Sequence, residues 1–163
     1  MSATQLAIVL ATLFPRLQRH LATHDELMGF IIESAARHHV RPSLLAAVGM
    51  IETGLGRDTA GRGAFGLTRR GLASLCRMGQ ARCEGSPLAA QADGAAAVLA
   101  AGRLACRTEL GSLRYYHSGR CAPEAWAYAP RALRLANRIE RAARNLPGGA
   151  RGTLRAHRSQ APR

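Results

Sequence analysis

The sequence predicts an all-α domain, and three observations predict it. Ala and Leu, strong helix formers, dominate the apolar residues. Proline recurs where a helix would begin, at Pro42, Pro87 and Pro130. Strand-like alternation of β-branched and aromatic residues is nearly absent. Hydrophobic residues make up 47% of the chain but aromatics only 4%, so the core has to be assembled from closely packed Ala, Leu, Val and Ile. At 163 residues there is room for one domain with an ordinary core.

The elements follow in order. Leu6 to Phe14 is an apolar run that reads either as the core of a secretion signal or as a buried first helix. No basic residue precedes it and no clear small-residue cleavage site follows. Residues 1–24 are therefore set apart as an N-terminal helix or signal-like segment. Thr23-His-Asp-Glu26 has the form of a capping box and opens an amphipathic stretch to His39, with Leu27, Phe30, Ile31 and Ala35 at helical spacing. Pro42 starts a helix to about Glu52 that is apolar nearly all round, the mark of a central, buried helix.

A glycine-rich, polar segment, Thr53 to Gly66, reads as a shaped loop or short irregular hairpin. Helices are then predicted over 70–78, 87–107, 109–117 and 130–145. Residues 25–145 form one domain on this reading. Residues 146–163 are Gly, Arg, Ser and Pro with little apolar content, as in a disordered basic tail. No apolar run is long enough to span a membrane.

The chain carries 23 basic residues against 10 acidic ones, a formal charge of +13, and every basic residue is Arg. Such a surface attracts polyanions: nucleic acid, an anionic membrane surface, or the acidic polymers of a cell wall. Four cysteines, Cys76, Cys83, Cys106 and Cys121, allow three disulfide connectivities. The local pairs 76 with 83 and 106 with 121 would close short loops. Neither a Cys-x-x-Cys spacing nor clustered His accompanies them, so no metal site is expected. Paired cysteines in a small chain favour an oxidising compartment; four unrelated buried thiols are the alternative.

Glu52 is the chemical anomaly. It ends the most hydrophobic helix, with Met50 and Ile51 before it and glycines behind it. Burial there disfavours the charged form of a carboxyl, and the negative end of the helix dipole acts in the same direction. A carboxyl kept neutral can serve as a general acid. On position alone, however, a solvent-facing glutamate at a frayed helix end is the better reading.

Four motifs shift that balance. Residues Ala36 to Thr53 read A-R-H-H-V-R-P-S-L-L-A-A-V-G-M-I-E-T, an apolar helix ending in Glu52-Thr53. Gly63-Ala-Phe-Gly-Leu67 follows about ten residues on, then Tyr115-Tyr-His-Ser-Gly119, then Tyr128-Ala-Pro-Arg-Ala-Leu133. In this order and spacing the chain resembles the soluble-type lytic transglycosylases, a goose-lysozyme-like superfamily, over about Ile31 to Arg141.

The resemblance implies a lysozyme-like helical domain and a cleaver of peptidoglycan glycan strands that needs neither cofactor nor metal. It implies that Glu52 is the sole acid and base, and that Thr53 orients it or touches substrate. Phe65, Gly66 and Leu67 would line the cleft together with Tyr116. Tyr128 would lie close enough to hydrogen-bond the Glu52 carboxyl, and His117, where the family has Asn, would contact sugar. Arg69 stands where the family has Gln and Thr68 where it has Met, which leaves the cleft contacts open.

The implied reaction breaks the bond between N-acetylmuramic acid and N-acetylglucosamine and closes a 1,6-anhydro ring. Hydrolysis of the same bond is the alternative if Asp58 positions a water. The expected partner is the glycan strand, with the protein acting as a monomer in the periplasm or outside the cell. The rival of a different class is a basic helical nucleic-acid binder, using Arg131, Arg134, Arg138, Arg141, Arg144 and the tail on phosphates. It leaves the glycine-rich loop without a role. A non-catalytic wall-binding module is a third reading, and the retained Glu52 argues against it.

Overall fold

The computed structural model describes residues 1–58, 62–121 and 127–147. Within them the chain is all-helical: α1 (Ala3–Leu13), a 3-10 turn (Pro15–Leu17), α2 (Gln18–Thr23), α3 (Glu26–Arg37), α4 (Pro42–Thr53), α5 (Arg69–Arg77), α6 (Pro87–Cys106), α7 (Glu109–Ser118) and α8 (Tyr128–Arg144). No strand occurs among the described residues, and no helix among them is long and apolar enough to cross a membrane. Residues 148–163 of the predicted basic tail lie outside the described residues, as do 59–61 of the glycine-rich segment.

α4 is the axis of the fold. Ser43 to Gly49 are buried without interruption, which is why the helix is apolar all round: α3, α6 and α8 enclose it. α1 is part of the same core, with Leu6 and Leu10 0% exposed, and it packs on α8 and α3. α6 and α7 form a tight helical hairpin. A Cβ at Gly102 would lie 2.9 Å from the Tyr115 Cβ and 3.0 Å from the Ser112 carbonyl oxygen, so glycine sets how closely the two helices approach. The Ser112 hydroxyl crosses the gap to donate to the Leu99 carbonyl at 2.6 Å.

Two local expectations need correction. Thr23 does not cap α3. It lies at the end of α2 and its hydroxyl donates to the His20 carbonyl, while Asp25 caps α3 by accepting from the Glu26 amide. A capping box does form, but at Ser2 and Gln5 on α1. α8 begins at Tyr128, two residues before Pro130, so Pro130 sits within the first turn, where its missing N–H costs nothing.

Arg41 joins the start of α4 to α7 and α8. Its guanidinium pairs with both carboxylate oxygens of Glu109, donates to Glu140 at 2.9 Å and reaches Asn137 at 3.2 Å. Ser43 donates to the same Glu140 oxygen at 2.8 Å. Burial alone would lower the Arg41 pKa, but the two glutamates outweigh it and hold it raised. Burial alone would raise Glu140, but the Ser43 hydroxyl and Arg41 outweigh it and hold it below the usual carboxylate value. On α6, Asp93 is 3% exposed, pairs with Arg37 at 2.6 Å and accepts the Arg82 amide at 2.6 Å, tying α3 and the 77–86 loop together.

Both local cysteine pairs are disulfides: Cys76–Cys83 with a Cα–Cα distance of 5.8 Å, and Cys106–Cys121 with 5.5 Å. The first closes the end of α5 onto the following loop, and the second pins the far end of α7 to the end of α6.

Two outcomes follow. Because the folded Glu140 binds its proton less readily than the unfolded one, its contribution is present above the ordinary carboxylate range and is lost as pH falls through the folded value. Glu140→Gln should therefore lower the melting temperature at pH 7 and narrow its gap to wild type below about pH 4. A gap that does not change with pH would contradict this. Replacing Cys106 and Cys121 together by Ala, a crosslink spanning 15 residues, should cost roughly 3 kcal/mol in denaturant unfolding.

Candidate active site

The site starts with how α4 ends. Gly54, Leu55 and Gly56 take positive φ in succession (60°, 59° and 92°), turning the chain back on the helix. The Gly54 and Leu55 amides donate to Met50 and Gly49 carbonyls at 3.2 and 2.9 Å. Positive φ is strained for leucine. The Leu55 side chain is 1% exposed in the core, and its carbonyl accepts from His20 Nε2 at 2.9 Å, so packing and a hydrogen bond hold the strained turn.

The returning segment, residues 62–67, lies across the end of α4. It is closed by hydrogen bonds from the Gly66 amide to the Gly63 carbonyl (2.8 Å) and from the Gly63 amide to the Leu67 carbonyl (3.1 Å). The Phe65 ring lies on Gly49 of α4, where a Cβ would meet it at 2.9 Å. Gly66 has φ 76°, and a Cβ there would lie 2.5 Å from Glu52 Oε2. The Glu52 carboxyl therefore rests directly on the Gly66 backbone, in space only glycine leaves open.

Two tyrosines complete the surround. Tyr116 of α7 donates its hydroxyl to the Phe65 carbonyl at 2.6 Å, fixing the segment that carries Gly66. Tyr128, in the first turn of α8, holds its hydroxyl sealed from solvent and close to the Glu52 carboxyl, though not aligned in a good hydrogen bond with any described protein group. Burial first, and the Glu52 charge second, push both phenols well above their ordinary value, so each is a proton-bearing donor across the physiological range. His117 is exposed and stacks on Tyr128 with ring centroids 4.5 Å apart and planes 19° from parallel.

Of the residues singled out from sequence, Glu52, Gly66, Tyr116, His117 and Tyr128 come together here. Three others are placed differently. Phe65, expected as a cleft wall, is 0% exposed, and its ring is core packing on Gly49; only its carbonyl serves the site, by holding Tyr116. The Thr53 hydroxyl is buried and fully engaged, donating to the Ala64 carbonyl and accepting from the Gly56 amide at 2.8 Å. It positions the loop rather than the carboxyl. The Leu67 side chain turns toward α6 and packs near Gly94 beside Leu72.

Glu52 also borders a surface pocket of about 530 Å³ between the end of α1, the 3-10 turn and the last turn of α4. Arg16, Arg57 and Asp58, all exposed, line it. Sequence reasoning missed the two arginines and also Gln91, which supports the turn by donating to the Leu67 carbonyl at 3.3 Å. Arg57 follows Glu52 closely in the chain, but Arg16 on the 3-10 turn and Gln91 on α6 are brought here only by the fold. Among the described residues no group of three or more His, Cys, Asp or Glu could hold a metal ion. No protein-family model, no curated protein and no solved structure matches the chain.

Gly66→Ala should cost about 1–3 kcal/mol, combining the positive φ with the contact on Glu52. A chemical denaturation curve that superimposes on wild type would contradict that contact. Tyr116→Phe removes one hydrogen bond and should cost roughly 0.5–1.5 kcal/mol in the same measurement.

Proposed function

We propose that the chain is a peptidoglycan lytic transglycosylase with Glu52 as its single proton-transfer group. The observation that carries the reading is the Glu52 carboxyl set against the Gly66 backbone between two permanently protonated tyrosines. The four-motif resemblance supports the same assignment, since the residues it names as Glu52, Gly66, Tyr116 and Tyr128 come from four separate segments and meet at one point.

On this reading the protonated Glu52 gives its proton to the glycosidic oxygen between N-acetylmuramic acid and N-acetylglucosamine. The 2-acetamido group of the muramyl ring stabilises the developing positive charge, so no second carboxylate is needed. The Glu52 carboxylate then takes the proton of the C6 hydroxyl as that oxygen attacks C1, and a 1,6-anhydro end forms. Tyr128, whose hydroxyl proton is uncommitted, steadies the carboxylate in the interval between the two transfers. His117 extends the Tyr128 ring to an exposed flat surface suited to a sugar face.

The two disulfides support a periplasmic or extracellular setting. The charge of +13 suits an acidic wall. Hydrolysis remains the second reading because Asp58 lines the same pocket as Glu52.

Glu52→Gln keeps the shape and removes the proton. It should lower the rate of solubilising purified peptidoglycan by at least about a thousandfold while leaving the melting temperature close to wild type. A folded Glu52→Gln protein that retains wild-type activity would sink the assignment.

A further inference from the structure

The pocket of about 530 Å³ beside Glu52 has one wall that the four-motif resemblance does not account for. It is the segment Leu13 to Leu17, which ends well before Ile31, where the resemblance begins. The core holds this segment in place. Leu6 and Leu10 of α1 are buried where that helix packs on α3 and α8, and Leu17 is 4% exposed. The Phe14 amide donates to the Leu10 carbonyl at 2.9 Å, and the Leu17 amide to the Phe14 carbonyl at 2.8 Å. Arg16 is thus carried on a fixed turn, between Pro15 and a buried leucine, with its side chain exposed at the pocket.

Arg57 enters the same pocket from the end of α4. Its amide donates to the Gly54 carbonyl at 3.4 Å, and the Asp58 amide donates to the Thr53 carbonyl at 2.9 Å. The reversal that places Gly66 on Glu52 therefore also sets where Arg57 stands. Neither guanidinium makes an ion pair with any described residue, Asp58 included. Leu13, Phe14, Met50 and Ile51 give the pocket an apolar lining around them.

A strand reacting at Glu52 has to occupy this pocket, because the carboxyl is part of its wall. A neutral sugar chain gains little from two cations. A carboxylate gains most, since a guanidinium donates to both of its oxygens in one plane. Of the two sugars in the strand proposed above, only N-acetylmuramic acid bears an acid. Its lactyl ether presents a methyl group, which suits the apolar lining, and a carboxyl that is either free or extended by a peptide with carboxylates of its own.

We propose that Arg16 and Arg57 are specificity-determining residues that bind a carboxylate borne by the muramyl unit at Glu52, so that the site takes acidic strands in preference to neutral ones. The inference rests on the activity proposed above and adds to it the charge of the substrate. It also makes the N-terminal segment part of the active site.

The test is calorimetric titration, at low ionic strength, of the oxidised full chain carrying Glu52→Gln so that no probe is cut. Three probes are compared: a peptide-free tetrasaccharide of alternating N-acetylglucosamine and N-acetylmuramic acid, its methyl ester, and the same tetrasaccharide with stem peptides attached. An acidic probe should bind at least about fivefold more tightly than the ester, and the gap should shrink as salt is raised. Adding Arg16→Gln or Arg57→Gln should remove most of the gap while leaving ester binding and the melting temperature unchanged. Arg138→Gln, which removes an exposed arginine of α8 outside the pocket, should keep it. A gap already present with the peptide-free acid assigns the lactyl carboxylate, and one present only with stem peptides assigns theirs. Equal binding of all three probes, a gap that neither pocket arginine reduces, or one reduced as much by Arg138→Gln would overturn the proposal. So would the absence of saturable binding at millimolar probe. Digestion of purified peptidoglycan by wild type keeps the two claims apart. Cleavage with acid and ester bound alike would refute the role of the arginines alone, and arginine-dependent binding without cleavage would refute the activity alone.

Discussion

The contact between the Glu52 carboxyl and the Gly66 backbone depends on a reversal of the chain that begins two residues after Glu52. Three positive φ angles in a row leave no room for an ordinary helix end, and one of them belongs to a leucine. That conformation persists because the Leu55 side chain is core, its carbonyl is held by His20, and Thr53 binds both arms of the loop. Gly49 then opens the space that Phe65 enters, and Phe65 in turn offers its carbonyl to Tyr116. Each of these links places the next, so the position of one carboxyl is fixed by residues on α2, α4, α7 and the returning turn.

The electrostatics of the molecule are organised in two regions. At the N-terminal end of α4, Arg41 binds Glu109 and Glu140, closing a charged cluster that joins three helices. At the C-terminal end there is no such pairing for Glu52 among the described residues. Its immediate neighbours are glycine backbone and neutral hydroxyls. At one end of the same helix Arg41 therefore draws acids from two other helices to hold the fold, while at the other the Glu52 carboxyl has no ionic partner among the described residues.

The fold class was readable because composition and periodicity carry it: a helix apolar on all sides, begun by Pro42, has to be central, and α4 is. The local cysteine pairing was readable for a similar reason, since short loops close most easily. Features that depend on distant partners were not. Thr23 has the sequence form of a cap, but α2 extends far enough to claim it. Phe65 sits in a motif that suggests an open cleft, and only the absence of a side chain at Gly49, sixteen positions earlier, makes it core. Gln91 and Arg16 reach the site region through packing that no local pattern announces. Within the motifs, the residues that meet were those whose backbone or hydroxyl acts at short range: Glu52, Gly66, Tyr116 and Tyr128.

The most direct measurement of the central claim is mass spectrometry of the muropeptides released from purified peptidoglycan by wild type and by Asp58→Asn. If Glu52 works alone with help from the sugar, both proteins release fragments about one water (roughly 18 Da) lighter than hydrolysis products, carrying 1,6-anhydro ends. Reducing ends that disappear with Asp58→Asn would contradict the single-acid account in favour of a hydrolase with two carboxylates. Release of no fragments by the folded wild-type protein would contradict the activity itself.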